Sequence, residues 1–484
     1  MGWQQSEAPR DADWRRARAY EARARAGGDL PTRTFNRYPT QAPTTRYPQP
    51  PGRSPQPPPR SPRPPNRFPG SDDPTVEIAG LTELVERPAD IDPPDDGDRR
   101  AAGHRAPRRP QHRFAKPVRR AFLLALALCL ILTGWNIIGY LTAPGTDTTA
   151  ARIAEWGRDH GMGDLVTFLE KQQYQQNQPK VGGAPAGGIP QAAGAVPGVI
   201  KPVGGLPAPA ALPPLAGAKA LPGEGQWQTV VTTPKGQPAV RVTTVRPDTT
   251  HTSYLAGVMW IDPTFVRGQL RPGTNDPGGT WQAATSLTIA EQQNVAAAFN
   301  AGFRLPRNAS HGGYYSEGRT AVPLQDGAAS LVLHTNGTAT VGAWNSEVRM
   351  AGDVASVRQN LVMLVDNGKV SSSCATGGQA QWGATIGQAA YIDRSAFGVT
   401  ATGAEVYVGG SALSVCTLGR ILQDAGVVRG MELDINPEWI TGVYFHTQPA
   451  GSPTGFRLYP TQHPTPSHYL SPSSRDWYAW FMRG

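Results

Sequence analysis

The segment 426–447, GVVRGMELDINPEWITGVYFHT, holds the residues best placed to do chemistry. It follows a glycine that stops a helix, and 427–434 reads as a short buried strand. The two-residue period of a strand sends Glu432 and Asp434 to one face, with Leu433 opposite. Two carboxylates at one strand end are costly to bury unpaired; they serve a cation, an arginine or an acid/base task. A salt-bridged strand end is the structural alternative to catalysis. Three other pieces offer companions. AFNAGF (298–303) carries Asn300 and turns through Gly302. SHGGYY (310–315) is a glycine-bent loop with His311 beside aromatics, a backbone that lets a ligand approach closely. Arg394 and Arg358 are candidates for a planar, two-pronged grip on phosphate.

The elements that must position these residues are mostly strands. LVLHTNGTATVGAW (331–344) alternates on both sides of Asn336-Gly337, a hairpin signal. LVMLVDNGKV (361–370) repeats the device around Asn367-Gly368, and SAFGVTATGAEVYV (395–408) is a third strand-turn-strand. Two helices are expected. One runs over 288–300, where Thr288 and Glu291 form a capping-box pattern. The other runs over 413–425, with Leu418, Ile421, Leu422 and Ala425 on one face and Gly426 as its stop. Antiparallel hairpins with a few helices make the fold class α+β. Of the three cysteines, Cys129 lies in an apolar run, while Cys374 and Cys416 fall in the strand-rich part. An even pair in an oxidising compartment suggests a disulfide; two buried free thiols is the other reading.

The pieces AFNAGF, SHGGYY, DGAASLVLHTNGTATVG, NLVMLVDNGKV, DRSAFGVTATGAEVYV, a helix and GMELD occur in that order, and over about 250–447 the chain resembles the phosphodiester glycosidase family. The animal members of that family uncover mannose 6-phosphate by removing N-acetylglucosamine. The resemblance matches Asn300 to the family's first Asn, Arg394 with Ala396 and Gly398 to its Arg-Thr-Ala strand, and Asp434 to its closing Asp. It implies Asp434 as the acid/base carboxylate, Glu432 as its partner or a metal ligand, Arg394 as the phosphate clamp and Asn300 as an orienting donor. Arg358, Gly302 and His311 are the substrate-binding candidates. Glu432 stands where the family has Asn, Ala301 replaces the first Gly, and Ile435-Asn436-Pro437-Glu438 replaces a Gly-Gly-Gly-Ser turn. A glycine turn brings backbone amides to a phosphate; Pro437 removes a donor. No cofactor is assigned by these residues.

The run 121–142, AFLLALALCLILTGWNIIGYLT, has no charge and is long enough to span a bilayer. Nine basic residues and no acidic ones lie between Arg99 and Arg120. The expected topology is therefore a single pass with a cytoplasmic N-terminus and an extracellular C-terminal domain in the cell membrane. The chain divides into a disordered Arg/Pro-rich arm (1–118), the span (119–142), a juxtamembrane helical segment of two short helices (143–178), a Gly/Ala/Pro spacer (179–225) and the glycosidase-like domain (226–484). Residues 1–120 hold 23 Lys+Arg against 15 Asp+Glu, nearly all of the net +9, so the folded part is close to neutral. That excludes a fold that grips nucleic acid through a basic surface. The expected function is a membrane-anchored hydrolase of sugar-1-phosphodiester links in cell-envelope glycans. A catalytically silent glycan-binding module that organises wall or polysaccharide assembly is the rival. The partners are envelope glycan and, through one helix, the membrane.

Overall fold

In the computed structural model the chain is described over residues 115–196, 204–214, 219–305, 312–385, 389–448 and 451–484. The arm before residue 115 and His311 lie outside them. Helix α1 (Ala115–Leu141) contains a 24-residue stretch, Val118–Leu141, long and apolar enough to cross a membrane. Its large side chains point outward, as Phe122 at 66 % and Leu124 at 72 % exposure show. Two short helices follow, α2 (Thr149–Asp159) and α3 (Gly163–Gln176). The Thr148 hydroxyl caps α2 by accepting from the Ala151 amide at 3.1 Å. Arg152 of α2 donates to the last carbonyls of α1, Tyr140 at 3.2 Å and Leu141 at 3.0 Å.

The stretch 179–225 differs from a free spacer. Its described backbone lies against the domain. Gly182 donates to Thr250 at 2.6 Å, Val196 to Thr229 at 2.8 Å, and Leu206 to the Asp262 carboxylate at 2.7 Å. Leu212 is buried. Proline and glycine leave backbone groups unpaired locally, and the edge strand at Thr229, the bend at Thr250 and the Asp262 carboxylate accept them.

Three antiparallel sheets build the domain. The largest has eight strands: β1 (Gln228–Thr232), β2 (Pro238–Val245), β3 (Ala256–Ile261), β11 (Met363–Asp366), β12 (Lys369–Val370), β13 (Ile392–Thr400), β14 (Glu405–Leu413) and β15 (Val427–Glu432). Their order is β1-β2-β3-β14-β13-β15-β11-β12. A second sheet orders β7 (Arg319–Val322), β6 (Tyr314–Ser316), β10 (Val354–Gln359), β8 (Ala329–His334) and β9 (Ala339–Ala343). The third orders β17 (Thr454–Arg457), β16 (Gly442–His446), β5 (Val295–Asn300), β18 (Trp477–Met482) and β4 (Val266–Arg271). All three expected hairpins form, as β8/β9, β11/β12 and β13/β14. Asn367 and Gly368 both have positive φ, 48° and 71°, the backbone a two-residue hairpin turn needs.

The helix expected over 288–300 is corrected. Thr288 and Glu291 do form a capping box, but α4 stops after one turn (Ile289–Gln292). VAAAFN becomes β5, fully buried between β16 and β18. A run apolar on every side fits a central strand as well as a helix, and here two flanking strands claim its backbone. After the short α5 (Gln379–Trp382), α6 covers Val415–Asp424, with Ser414 as its cap and Leu418, Ile421 and Leu422 buried on sheet one. Cys374 and Cys416 are joined by a disulfide with Cα atoms 4.9 Å apart. It ties the start of α6 to the turn Ser372–Cys374, closing a loop worth about 3–4 kcal/mol in chain entropy.

Aromatic rings lock sheet three onto sheet one. Phe299 of β5 stacks on Tyr407 of β14 at 4.4 Å and on Trp480 of β18 at 4.5 Å. This contact places Asn300, one residue on, at the junction of the two sheets.

Candidate functional site

Asn300 is buried and spends its side-chain amide on the junction. Its oxygen accepts from the Tyr407 hydroxyl at 2.8 Å and the Thr441 amide at 3.1 Å. Its nitrogen donates to the Ser395 hydroxyl at 3.0 Å, and Ser395 donates to the Asp434 carbonyl at 2.9 Å. The backbone that carries Asp434 is thus fixed by three segments. The Asp434 carboxylate accepts from the amides of Ile435 (2.7 Å) and Asn436 (2.9 Å), so the departing turn still offers two backbone donors.

Asp434 lines two adjoining spaces. The inner one, about 10 Å³, is bounded by Asn300, Gly302, Trp439, His468, Arg475 and Asp476, among others. Gly302 has to be glycine here, since a Cβ would come within 2.9 Å of the Asn360 side chain. The outer one is a cleft of about 280 Å³, lined by Glu155, Arg158, Phe303, Arg304, Ile435 and Trp439 together with Asp434 and Arg475. Glu155 and Arg158 belong to α2, so the juxtamembrane segment supplies one wall of the cleft.

Arg475 is the electrostatic centre. Its Nε lies 2.8 Å from Asp276, its Nη2 3.6 Å from Asp434 and its Nη1 3.8 Å from Glu155. The Asp276 contact is close but poorly aligned for a hydrogen bond, so it counts as an ion pair. The guanidinium also faces the Trp439 ring at 5.3 Å. Three carboxylates on one cation leave the group short of positive charge. Burial raises the pKa of Asp434, opposed by Arg475 and the two backbone amides. Burial also raises that of Glu155, opposed by Arg475 and Arg304. Desolvation of the charged form is the cause in both.

The other expected residues lie elsewhere. Arg394 does not line the cleft. It is buried, bonded to Glu432 at 2.5 Å and to the Leu413 carbonyl at 3.0 Å. Glu432 is fully buried beside it, and its second oxygen has no hydrogen-bond partner among the described residues. Burial raises its pKa against the pull of Arg394. Arg358 is also buried; it holds Asp476 at 2.7 Å and the Phe303 and Gln359 carbonyls beneath the inner space. The structure therefore brings Asn300, Gly302 and Asp434 together and keeps Arg394, Glu432 and Arg358 as internal ion pairs. Among the described residues, no group of three or more His, Cys, Asp and Glu side chains is set to hold a metal ion.

Neither a family model nor a curated protein matches the sequence. Solved structures do. One is the catalytic domain of zebrafish N-acetylglucosamine-1-phosphodiester alpha-N-acetylglucosaminidase, auto-inhibited by pro-peptide. It is 16 % identical with a TM-score of 0.36, over 54 % of this chain and 88 % of that one. Another is a hypothetical protein from Synechocystis, 13 % identical with a TM-score of 0.30, over 51 % of this chain and 63 % of that one.

Sequence reading missed Arg475, Trp439 and Glu155. Trp439 lay inside the chosen segment but carried no periodic signal. Arg475 and Glu155 are separated by 320 residues, and only the docking of α2 onto the domain joins them.

Proposed function

We propose that the chain is a membrane-anchored hydrolase acting, outside the cytoplasm, on sugar-1-phosphodiester links of cell-envelope glycans. The observation that supports this best is the cleft. It presents a buried carboxylate, a second carboxylate across one guanidinium, an indole and two rim arginines. α1 supplies an anchor, and the Cys374–Cys416 bridge fits an oxidising compartment.

Asp434 and Glu155 touch the same guanidinium, so they stand within about 10 Å, the span over which glycosidases hold an acid and a base. Burial raises the pKa of Glu155, and among the described residues no backbone amide donates to its carboxylate. It is assigned to protonate the leaving phosphate oxygen. Asp434, steadied by two amides and Arg475, is assigned to activate water or attack the anomeric carbon. Arg158 and Arg304 at the rim suit a phosphate, and Trp439 suits the face of a sugar ring. Arg394 and Glu432 take a positioning role in this scheme. Their ion pair staples β13 to the end of β15, immediately before Ser395 and Asp434.

The test is hydrolysis by the purified full chain in detergent, using methyl phosphodiesters of a panel of sugar 1-phosphates. Free sugar and methyl phosphate are expected in equal amounts. Retained binding with no release from any member would move the chain to the rival reading, a glycan-binding module of the same fold.

A further inference from the structure

The cleft and the apolar helix are one side chain apart. Asp159, the last residue of α2, accepts from the Tyr140 hydroxyl of α1 at 3.0 Å and pairs with Arg304 of the cleft at 2.5 Å. Two further contacts fix α2 to the end of α1: the Arg152 bonds, and Trp156 donating to Asn136 at 2.7 Å. Arg158 in turn holds Glu170 of α3 at 2.5 Å. The end of α1, the helical hairpin and the cleft wall are therefore one connected piece.

That piece carries an uncovered apolar face. Leu165, Phe168 and Leu169 sit at i, i+3 and i+4 of α3, one side of the helix, and are 53 %, 55 % and 57 % exposed. Ile153 of α2 is exposed as well. Isolated exposed leucines are ordinary, but a row of this kind calls for a cover. Only seven residues separate Leu141 from Thr149, so the hairpin has little chain with which to leave the surface that α1 enters.

We propose that the α3 face docks on the outer leaflet and that the cleft takes its phosphodiester from that leaflet, as a lipid-linked sugar phosphate. This rests on the hydrolase and anchor reading above. An amphipathic helix lying in the interface buries such a row at the headgroup–acyl boundary. The cleft then opens at headgroup height, where the phosphate of a polyprenyl phosphosugar lies, with Arg158 and Arg304 facing it. In the reaction a water oxygen bonds to the anomeric carbon and the bond from that carbon to the phosphate oxygen breaks. The proton from water ends on the enzyme's base, and the acid's proton goes to the phosphate. The products are free sugar and a polyprenyl phosphate that stays in the membrane.

The test uses the full chain in vesicles, on a Cys129→Ala background so that one new thiol takes a fluorophore. A nitrobenzoxadiazole label at Phe168→Cys should be blue-shifted and quenched by nitroxide on acyl chains. The same label at Thr167→Cys, on the opposite side of α3, should stay water-like. A water-like label at 168 overturns the docking. The ligand class is read without turnover, by photocrosslinking a polyprenyl phosphosugar that carries a diazirine beside its phosphate. Wild type should be labelled at least tenfold more than the Leu165→Ser/Phe168→Ser/Leu169→Ser variant. Equal labelling of the two, or no labelling of wild type, overturns the lipid-linked substrate. Shielding and crosslinking with no sugar released would sink the hydrolase reading and the reaction step, and leave the docking and the lipid-linked ligand standing.

Discussion

Asp434 and Glu432 are two residues apart in sequence, yet they live in opposite electrostatic settings. Glu432 has one cation to itself. Arg394 meets it at 2.5 Å, both side chains are sealed from water, and neither can reach a ligand. Asp434 shares its cation with Asp276 and Glu155 and stands at the wall of a cleft. A buried one-to-one pair is a structural solution: its cost falls only if a partner is lost. Burial raises the pKa of both Glu432 and Asp434, but only Asp434 lines the cleft, the position that acid/base work needs in the proposed function. Nearness in sequence placed both in one candidate site, and the packing separates their tasks.

The comparison breaks first at Asp434. Asp434→Asn should lower turnover by about 10²–10⁴, because the amide keeps the shape and cannot exchange a proton. Its melting temperature should stay near that of wild type, since one of three carboxylates crowding Arg475 is relieved. A lowered melting temperature with normal rate per folded molecule would make Asp434 structural and void the site. Arg394→Met should give the reverse pattern. It strands Glu432 without its cation, costing about 3–5 kcal/mol in denaturant unfolding, while the folded fraction keeps most of its rate. A stable, inactive Arg394→Met would return Arg394 to the role of phosphate clamp.

Glu405 sharpens the comparison because, among the described residues, no guanidinium bonds to it, Arg483 acting only from a distance. It is fully buried, accepts from the Ala339 amide at 2.8 Å and from the Trp480 indole, and burial pushes its pKa up to about 7. A carboxyl with a raised folded pKa contributes stability that is complete below its unfolded pKa and is lost as pH rises through the folded value. The shift from 4.5 to about 7 corresponds to about 3 kcal/mol, lost between roughly pH 4.5 and 7.5. Urea melts across that window should show a shallower slope in Glu405→Gln than in wild type, with the slope from the equally buried Glu432 remaining in both. Parallel curves would refute it.

Much of the strand framework was legible because its signals are local. Asn336-Gly337 and Asn367-Gly368 name their turns, and alternation on either side names the strands. VAAAFN was not legible as β5, because a fully buried strand has no polar side to mark its period. For a related reason composition does not reveal that described residues of 179–225, such as Gly182, Val196 and Leu206, bond to the domain. Within the site, Asp434 stood out by type and spacing, Gly302 as a turn, and Asn300 through the resemblance to the glycosidase family. Arg475 did not, since its meaning depends on Asp276, Asp434 and Glu155 arriving from three distant parts of the chain.

Arg152 has a mechanical consequence. By bonding the final carbonyls of α1 it fixes where the helix ends relative to the domain. On the proposed topology the outer boundary of the span is pinned, and the helix cannot slide to suit a thicker or thinner bilayer. Adjustment must fall to the inner end, where the flexible stems of Arg119 and Arg120 can reach up or down to the headgroups. Such an anchor would hold the height of its cleft constant above membranes of different thickness.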